Sequence, residues 1–130
     1  MVKEILAYNK ETDNKYRWEA KVENASFKLY IPKWRIPHPM PEKLLVGIYT
    51  VKEEARFQRT YTPSEISINP NLAKNPIFAE IIFFEEHTQT YRYDPSFPDS
   101  HLWEIGSPYI PKTLLEHNRP QIVYINVEWK

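Results

Sequence analysis

Tyr-Ile-Pro-Lys stands at 30–33 and again at 109–112. A repeated segment means that one local structure is built twice, so the architecture must accommodate both copies. The flanking residues extend the match. Glu4-Ile5-Leu6 falls on Glu80-Ile81-Ile82, Thr12 on Thr88, and Tyr16-Arg17-Trp18 on Tyr91-Arg92-Tyr93. Further on, "LLVGIYTV" (44–51) has its counterpart in "IVYINVEW" (122–129). These matches keep their order, at offsets from 75 (Tyr16 to Tyr91) to 79 (Tyr30 to Tyr109). They predict one domain, 1–130, made of two duplicated units of about fifty residues, 1–51 and 77–130, joined by 52–76.

Inside each unit the apolar residues alternate with the period of strands. Val123, Ile125, Val127 and Trp129 share one face, with Tyr124, Asn126 and Glu128 on the other. Phe27, Leu29 and Ile31 alternate with Lys28 and Tyr30 in the same way. "IFAEIIFF" (77–84) is apolar on nearly both faces and is placed centrally in a sheet. "ETDNK" (11–15) reads as a hairpin turn, with "EEHTQT" (85–90) in the matching place. Proline removes a ladder donor and holds the preceding residue extended, so a strand ends at Pro32 and again at Pro111. After Pro111, "KTLLEHN" (112–118) can make one or two helical turns, whereas after Pro32 "KWRIPHPMPEK" (33–43), with prolines at 37, 39 and 41, cannot form a helix. In the connecting segment, "TPSE" (62–65) has Thr62 as N-cap, Pro63 at the first helical position and Glu65 as capping-box partner. The expected fold is therefore mainly β. Two units related by a pseudo-twofold close into a small barrel or sandwich, with one or two short helices.

A strand ending in Ile-Pro-Lys, then a helical turn, then a further strand resembles half of the swapped-hairpin barrels of AbrB-type regulators. It is also similar to part of the B3-type pseudobarrels. The resemblance is at the level of this motif, in each half of the chain, and implies a pseudobarrel that binds nucleic acid. The charge balance points the other way: Lys plus Arg equals Asp plus Glu at 17 each, and phosphate binding usually demands a basic excess. The charge is nevertheless polarised, +3 over 1–51 (9 basic, 6 acidic) and −4 over 77–130 (4 basic, 8 acidic), which favours pairing with a protein partner or a second copy.

Aromatic residues at 15% argue against disorder. The absence of Cys excludes disulfides, thiolate metal sites and a cysteine nucleophile, and fits a cytoplasmic protein. "MVKEILAYNKE" lacks the apolar core of a signal peptide, and no membrane association is expected.

Catalytic signals are missing. None of His38, His87, His101 and His117 has a second His at ligand spacing, so no metal site is expected. Gly47 and Gly106 stand alone, which rules out a glycine-rich phosphate loop, and neither a cofactor nor a catalytic residue is implied. Glu19 and Glu104 each follow a Trp and could meet as a coupled carboxylate pair if the units are symmetric. The candidate binding surface is "KLYIPKWRIPHPMPEK" (28–43), in which Lys28, Lys33, Arg35 and Lys43 surround Trp34, with His38 among the prolines. Basic groups beside an aromatic can hold phosphates while stacking a base, and Trp and Arg also dominate protein–protein hot spots. The reading is a non-enzymatic binding or assembly domain, possible as a homo-oligomer. The alternatives are a nucleic-acid-binding pseudobarrel and a small enzyme or ligand-binding barrel with acidic cavity residues.

Overall fold

A computed structural model describes residues 2–116 and 118–130. The strands are β1 (Val2–Glu11), β2 (Lys15–Val22), β3 (Ala25–Pro32), β4 (Lys43–Tyr49), β5 (Ile77–Glu86), β6 (Thr90–Pro95), β7 (Tyr109–Pro111) and β8 (Ile122–Trp129). They form a closed antiparallel barrel in the order β1-β2-β3-β7-β6-β5-β8-β4, with β4 pairing back onto β1. The alternation read from the sequence sets its inside. Phe27, Leu29 and Ile31 of β3 and Val123, Ile125 and Val127 of β8 are fully buried, together with Trp18, Tyr93 and Ile81. Eight strands enclose a space just wide enough for such side chains to fill, and closure leaves no unpaired edge.

Each half of the chain contributes the same arrangement. β1-β2-β3 form a meander with β4 beside β1, and β5-β6-β7 form a meander with β8 beside β5. The halves meet at β3–β7 and β4–β8. Local irregularities coincide as well. A bulge falls between Tyr8 and Lys10 and another between Phe83 and Glu85, 75 positions on. Thr12 N–H donates to the Lys15 carbonyl as His87 N–H donates to that of Thr90. Edge-on clusters form from Tyr8, Tyr16 and Trp18 in one half and from Phe83, Tyr91 and Tyr93 in the other.

The Tyr-Ile-Pro-Lys segments have the same role in both halves. Proline ends the strand, and the lysine reaches the end of the preceding hairpin. Lys33 pairs with Glu11 at 2.5 Å, its ammonium 5.2 Å from the Tyr16 ring. Lys112 pairs with Glu86 at 2.7 Å, 5.2 Å from the Tyr91 ring. The hydrogen bond to Glu11 holds the Lys33 amine above its ordinary pKa, and that from Lys112 holds the Glu86 carboxyl below its own.

The pairing corrects the sequence alignment by one residue. The buried residues Leu44, Val46 and Ile48 correspond to Val123, Ile125 and Val127, an offset of 79, whereas Ile122 is 40% exposed. Likewise Leu6, buried and paired with Leu44, matches Ile81, buried and paired with Val123, at an offset of 75, one less than the letter match of Glu4 with Glu80. A slip of one would turn each side chain to the wrong face, so burial decides the register. In the β4–β8 ladder Gly47 faces Asn126, with Val46 against Val127 and Ile48 against Ile125 on either side. Asn126 is itself 79 positions after Gly47, so the ladder is symmetric about that pair. The close approach requires glycine: a Cβ there would lie 2.6 Å from Asn126 Oδ1 and 2.8 Å from the Tyr49 ring.

Between the halves run α1 (Lys52–Ala55) and α2 (Pro63–Ile68). α2 starts at the capping box read from the sequence: Glu65 N–H donates to Thr62 Oγ1 at 3.3 Å, and Thr62 N–H to Glu65 Oε1 at 3.0 Å. Two expectations change in detail. The chain does make one 3-10 turn after Pro32, over Lys33–Arg35, because three residues suffice for the bond from Ile36 N–H to the Lys33 carbonyl. The turn after Pro111 is also 3-10 and spans only Lys112–Leu115, while His117 lies outside the described residues. No helix among the described residues is long and apolar enough to cross a membrane.

Candidate functional site

The 28–43 segment distributes its charged residues instead of gathering them. Lys28, on β3, stands opposite Glu19 of β2 and Tyr109 of β7. Lys33 is taken by Glu11. His38 and Lys43 are exposed, and Trp34 is half-buried. Ile36 and Pro37 are buried, Met40 packs on the core, and the Trp18 indole N–H donates to the Pro41 carbonyl at 3.2 Å. The segment packs against the barrel through Ile36, Pro37 and Met40, while Pro39 is exposed.

Arg35 departs furthest from a surface role. It is wholly buried, and its guanidinium donates to Glu104 at 2.5 Å and to the carbonyls of Ala73, Asn75 and Pro76 at 2.8, 2.9 and 3.1 Å. The Tyr61 and Trp129 rings lie 5.4 and 6.0 Å away. These partners occupy the planar fork that would otherwise grip a phosphate. Glu104 thus has Arg35 as its partner, and Glu19 lies opposite Lys28, so the carboxylate pair considered from the sequence is not formed. Burial raises the Glu104 carboxyl above its ordinary pKa, against the lowering pull of Arg35 and the Tyr61 backbone N–H.

Concavity appears on the outside of β5. A cleft of about 160 Å³ is walled by Phe57, Tyr61, Phe78, Phe97 and Trp103, with Glu80, Glu104 and Ile105 also lining it. β5 supplies Phe78 and Glu80 from the strand face opposite the buried Ile77 and Ile81. The 57–62 segment lies over that face, with Phe57 packed 5.8 Å from Phe78 and 5.7 Å from Tyr124. The third wall is the connection from β6 to β7. Ser96 N–H donates to the Glu80 carbonyl at 2.9 Å, and Asp99 caps the turn at His101. The Trp103 indole N–H donates to the Phe97 carbonyl at 2.6 Å, fixing one wall against another, while the Phe97 side chain remains 52% exposed.

Among the described residues no Lys, Arg or His lines the cleft. Glu104 is neutralised from behind by Arg35, whereas Glu80 has no side-chain hydrogen bond or ion pair among the described residues. Arg59 stands outside, 4.8 Å from the Tyr61 ring and paired with Glu65. Among the described residues no group of three or more His, Asp or Glu could hold a metal ion. Of the histidines, His38, His87 and His101 are exposed, and His87 lies 2.9 Å from Glu85.

The sequence reading passed over this cleft, although a signal was present. Its walls come largely from the parts that the internal match does not cover: the connecting segment, and a β6–β7 link that raises the offset from 75 to 79. Phe97 and Trp103 are large aromatics in a Pro-rich loop, where a strand pattern gives them no packing duty. No protein-family model matches the chain, and comparison with curated proteins finds no match.

Proposed function

We propose that the protein is a non-enzymatic binding module whose ligand enters the aromatic cleft on the outer face of β5. One observation carries this reading: five aromatic side chains wall a concave site while the barrel interior is filled. Ligand sites are typically apolar and aromatic with few polar groups, and a packed barrel has no room for a ligand inside. At about 160 Å³ the cleft suits a side chain or small head group, since whole drug-sized ligands occupy roughly 300–1,000 Å³. Chemistry within it is the less favoured reading, because Glu104, the more buried of its two carboxylates, is tied to Arg35. The nucleic-acid reading suggested by the Ile-Pro-Lys resemblance loses Arg35 from the basic set.

The test is heteronuclear NMR with a panel of millimolar small molecules, each carrying a compact five- or six-carbon group, some neutral and some charged. Shifts centred on the Trp103 indole and Phe97, abolished by Trp103→Ala, are expected. A panel that leaves these signals unmoved overturns the binding reading. Conversion of a bound compound to product overturns its non-enzymatic part.

We further propose that the two halves descend from one duplicated unit. The paired bulges, paired Lys–Glu bridges and common strand order support it. Rotating β1–β4 onto β5–β8 should carry Tyr16, Trp18 and Ile31 onto Tyr91, Tyr93 and Ile110. A best fit in any other register removes the proposal.

A further inference from the structure

We infer that the cleft selects an organic cation with a compact apolar body, an alkylammonium group; this rests on the binding reading above. Two independent features of the site point to it. The first is the walls. Aromatic rings present a negative face, and a cation held over such faces within about 6 Å is attracted, the more so when partly desolvated. The second is Glu80. This half-buried carboxylate lines the cleft, and among the described residues no cation pairs with it and no basic residue lines the cavity. An anionic ligand would meet repulsion from Glu80 and the ring faces together. A neutral apolar ligand would fill the space but leave the carboxylate without a partner.

The local chemistry already works in this direction. Tyr61, one wall, has two guanidinium groups near its ring, Arg35 at 5.4 Å and Arg59 at 4.8 Å. Phe97 and Trp103 have no cation over them among the described residues, and they stand where Phe97 opens to solvent. The volume matches: an apolar cavity of about 150 Å³ accepts a benzene-sized group, which is the scale of a trimethylammonium head or the end of a lysine side chain. The same chemistry could reach the cleft from a free quaternary ammonium compound or from a lysine, methylated or not, on a partner protein.

The deciding experiment pairs choline with its neutral isostere 3,3-dimethylbutan-1-ol, titrated by NMR against the full chain. Choline is expected to bind about tenfold more tightly. Glu80→Gln should weaken choline about fivefold and leave the isostere unchanged. Added salt should weaken choline alone, which provides a readout on the unaltered protein should the variant fail to fold. The blocked amino acid N-acetyl-lysine N-methylamide and its trimethyl form, run beside choline, separate the two sources: tighter binding of either assigns the cation to a protein side chain, and tighter binding of choline to a free compound. Equal binding of choline and the isostere at the cleft overturns the cation inference while the binding reading stands. Binding of neither, with no other member of the panel moving Trp103, brings down both.

Discussion

Replacing Arg35 by Ala should be among the most damaging single changes in the molecule. The side chain is fully buried and donates to one carboxylate and three backbone carbonyls. Removing one partner of a buried ion pair leaves the other charged without compensation, at a cost of about 3–5 kcal/mol. Carbonyls stripped of their donors add to this, although Ala73 keeps the Trp129 indole N–H at 3.1 Å. A loss of about 4 kcal/mol is a large part of the roughly 5–15 kcal/mol that stabilises a domain. For 130 residues the unfolding entropy is about 0.27 kcal/mol/K, so Tm should fall by roughly 15 °C. Thermal and urea denaturation of Arg35→Ala, Glu104→Ala and the double variant would measure it. The double variant should lose less than the sum of the singles, by about 1–3 kcal/mol, because the second deletion removes the charge that the first one stranded. Additive losses, or a Tm drop below about 4 °C for Arg35→Ala, would refute the argument that this pair is a coupled buried unit.

Two further outcomes follow from the barrel. Burial pushes the Tyr93 hydroxyl up to about 12, and its hydroxyl donates to the Pro120 carbonyl at 2.7 Å. Its folded pKa is raised, so its contribution is intact below pH 10 and is lost as pH climbs towards 12, by up to roughly 3 kcal/mol. Urea midpoints between pH 8 and 12 should show that alkaline limb in the native sequence and a shallower one in Tyr93→Phe; identical limbs would contradict it. Gly47→Ala forces a methyl against the Tyr49 ring and Asn126, and should destabilise by about 1–3 kcal/mol, with partial recovery in Gly47→Ala/Asn126→Ala. Chemical denaturation checks both, and an unchanged Gly47→Ala midpoint would mean the contact is slack.

Where structure follows from neighbours in the chain, it was legible. Phe27, Leu29 and Ile31 declared their buried face by alternation, Thr62 and Glu65 declared a helix start, and Pro32 and Pro111 declared strand ends. The internal match led to a small barrel or a sandwich without deciding between them, and it did not say which strands meet, because Gly47 finds Asn126 across 79 positions and no local period records such a partner. The one-residue slip between Leu44 and Val123 arose from matching letters, whereas burial follows faces. Arg35 misled for a related reason. Beside Trp34 and Lys33 it reads as surface, yet a single 3-10 turn swings it inward to Glu104, 69 positions away. The cleft escaped notice because Phe57, Glu80 and Trp103 come together only once the loops have folded over β5.

The Gly47–Asn126 pair bears on whether such a shell could be assembled from two separate identical subunits. A residue on a dyad meets its own copy. Two glycines there would leave a hole in the wall, and two asparagines would crowd Tyr49 from both directions. One continuous polypeptide escapes that dilemma, because it can put the absent side chain on one strand and the filling side chain on the other.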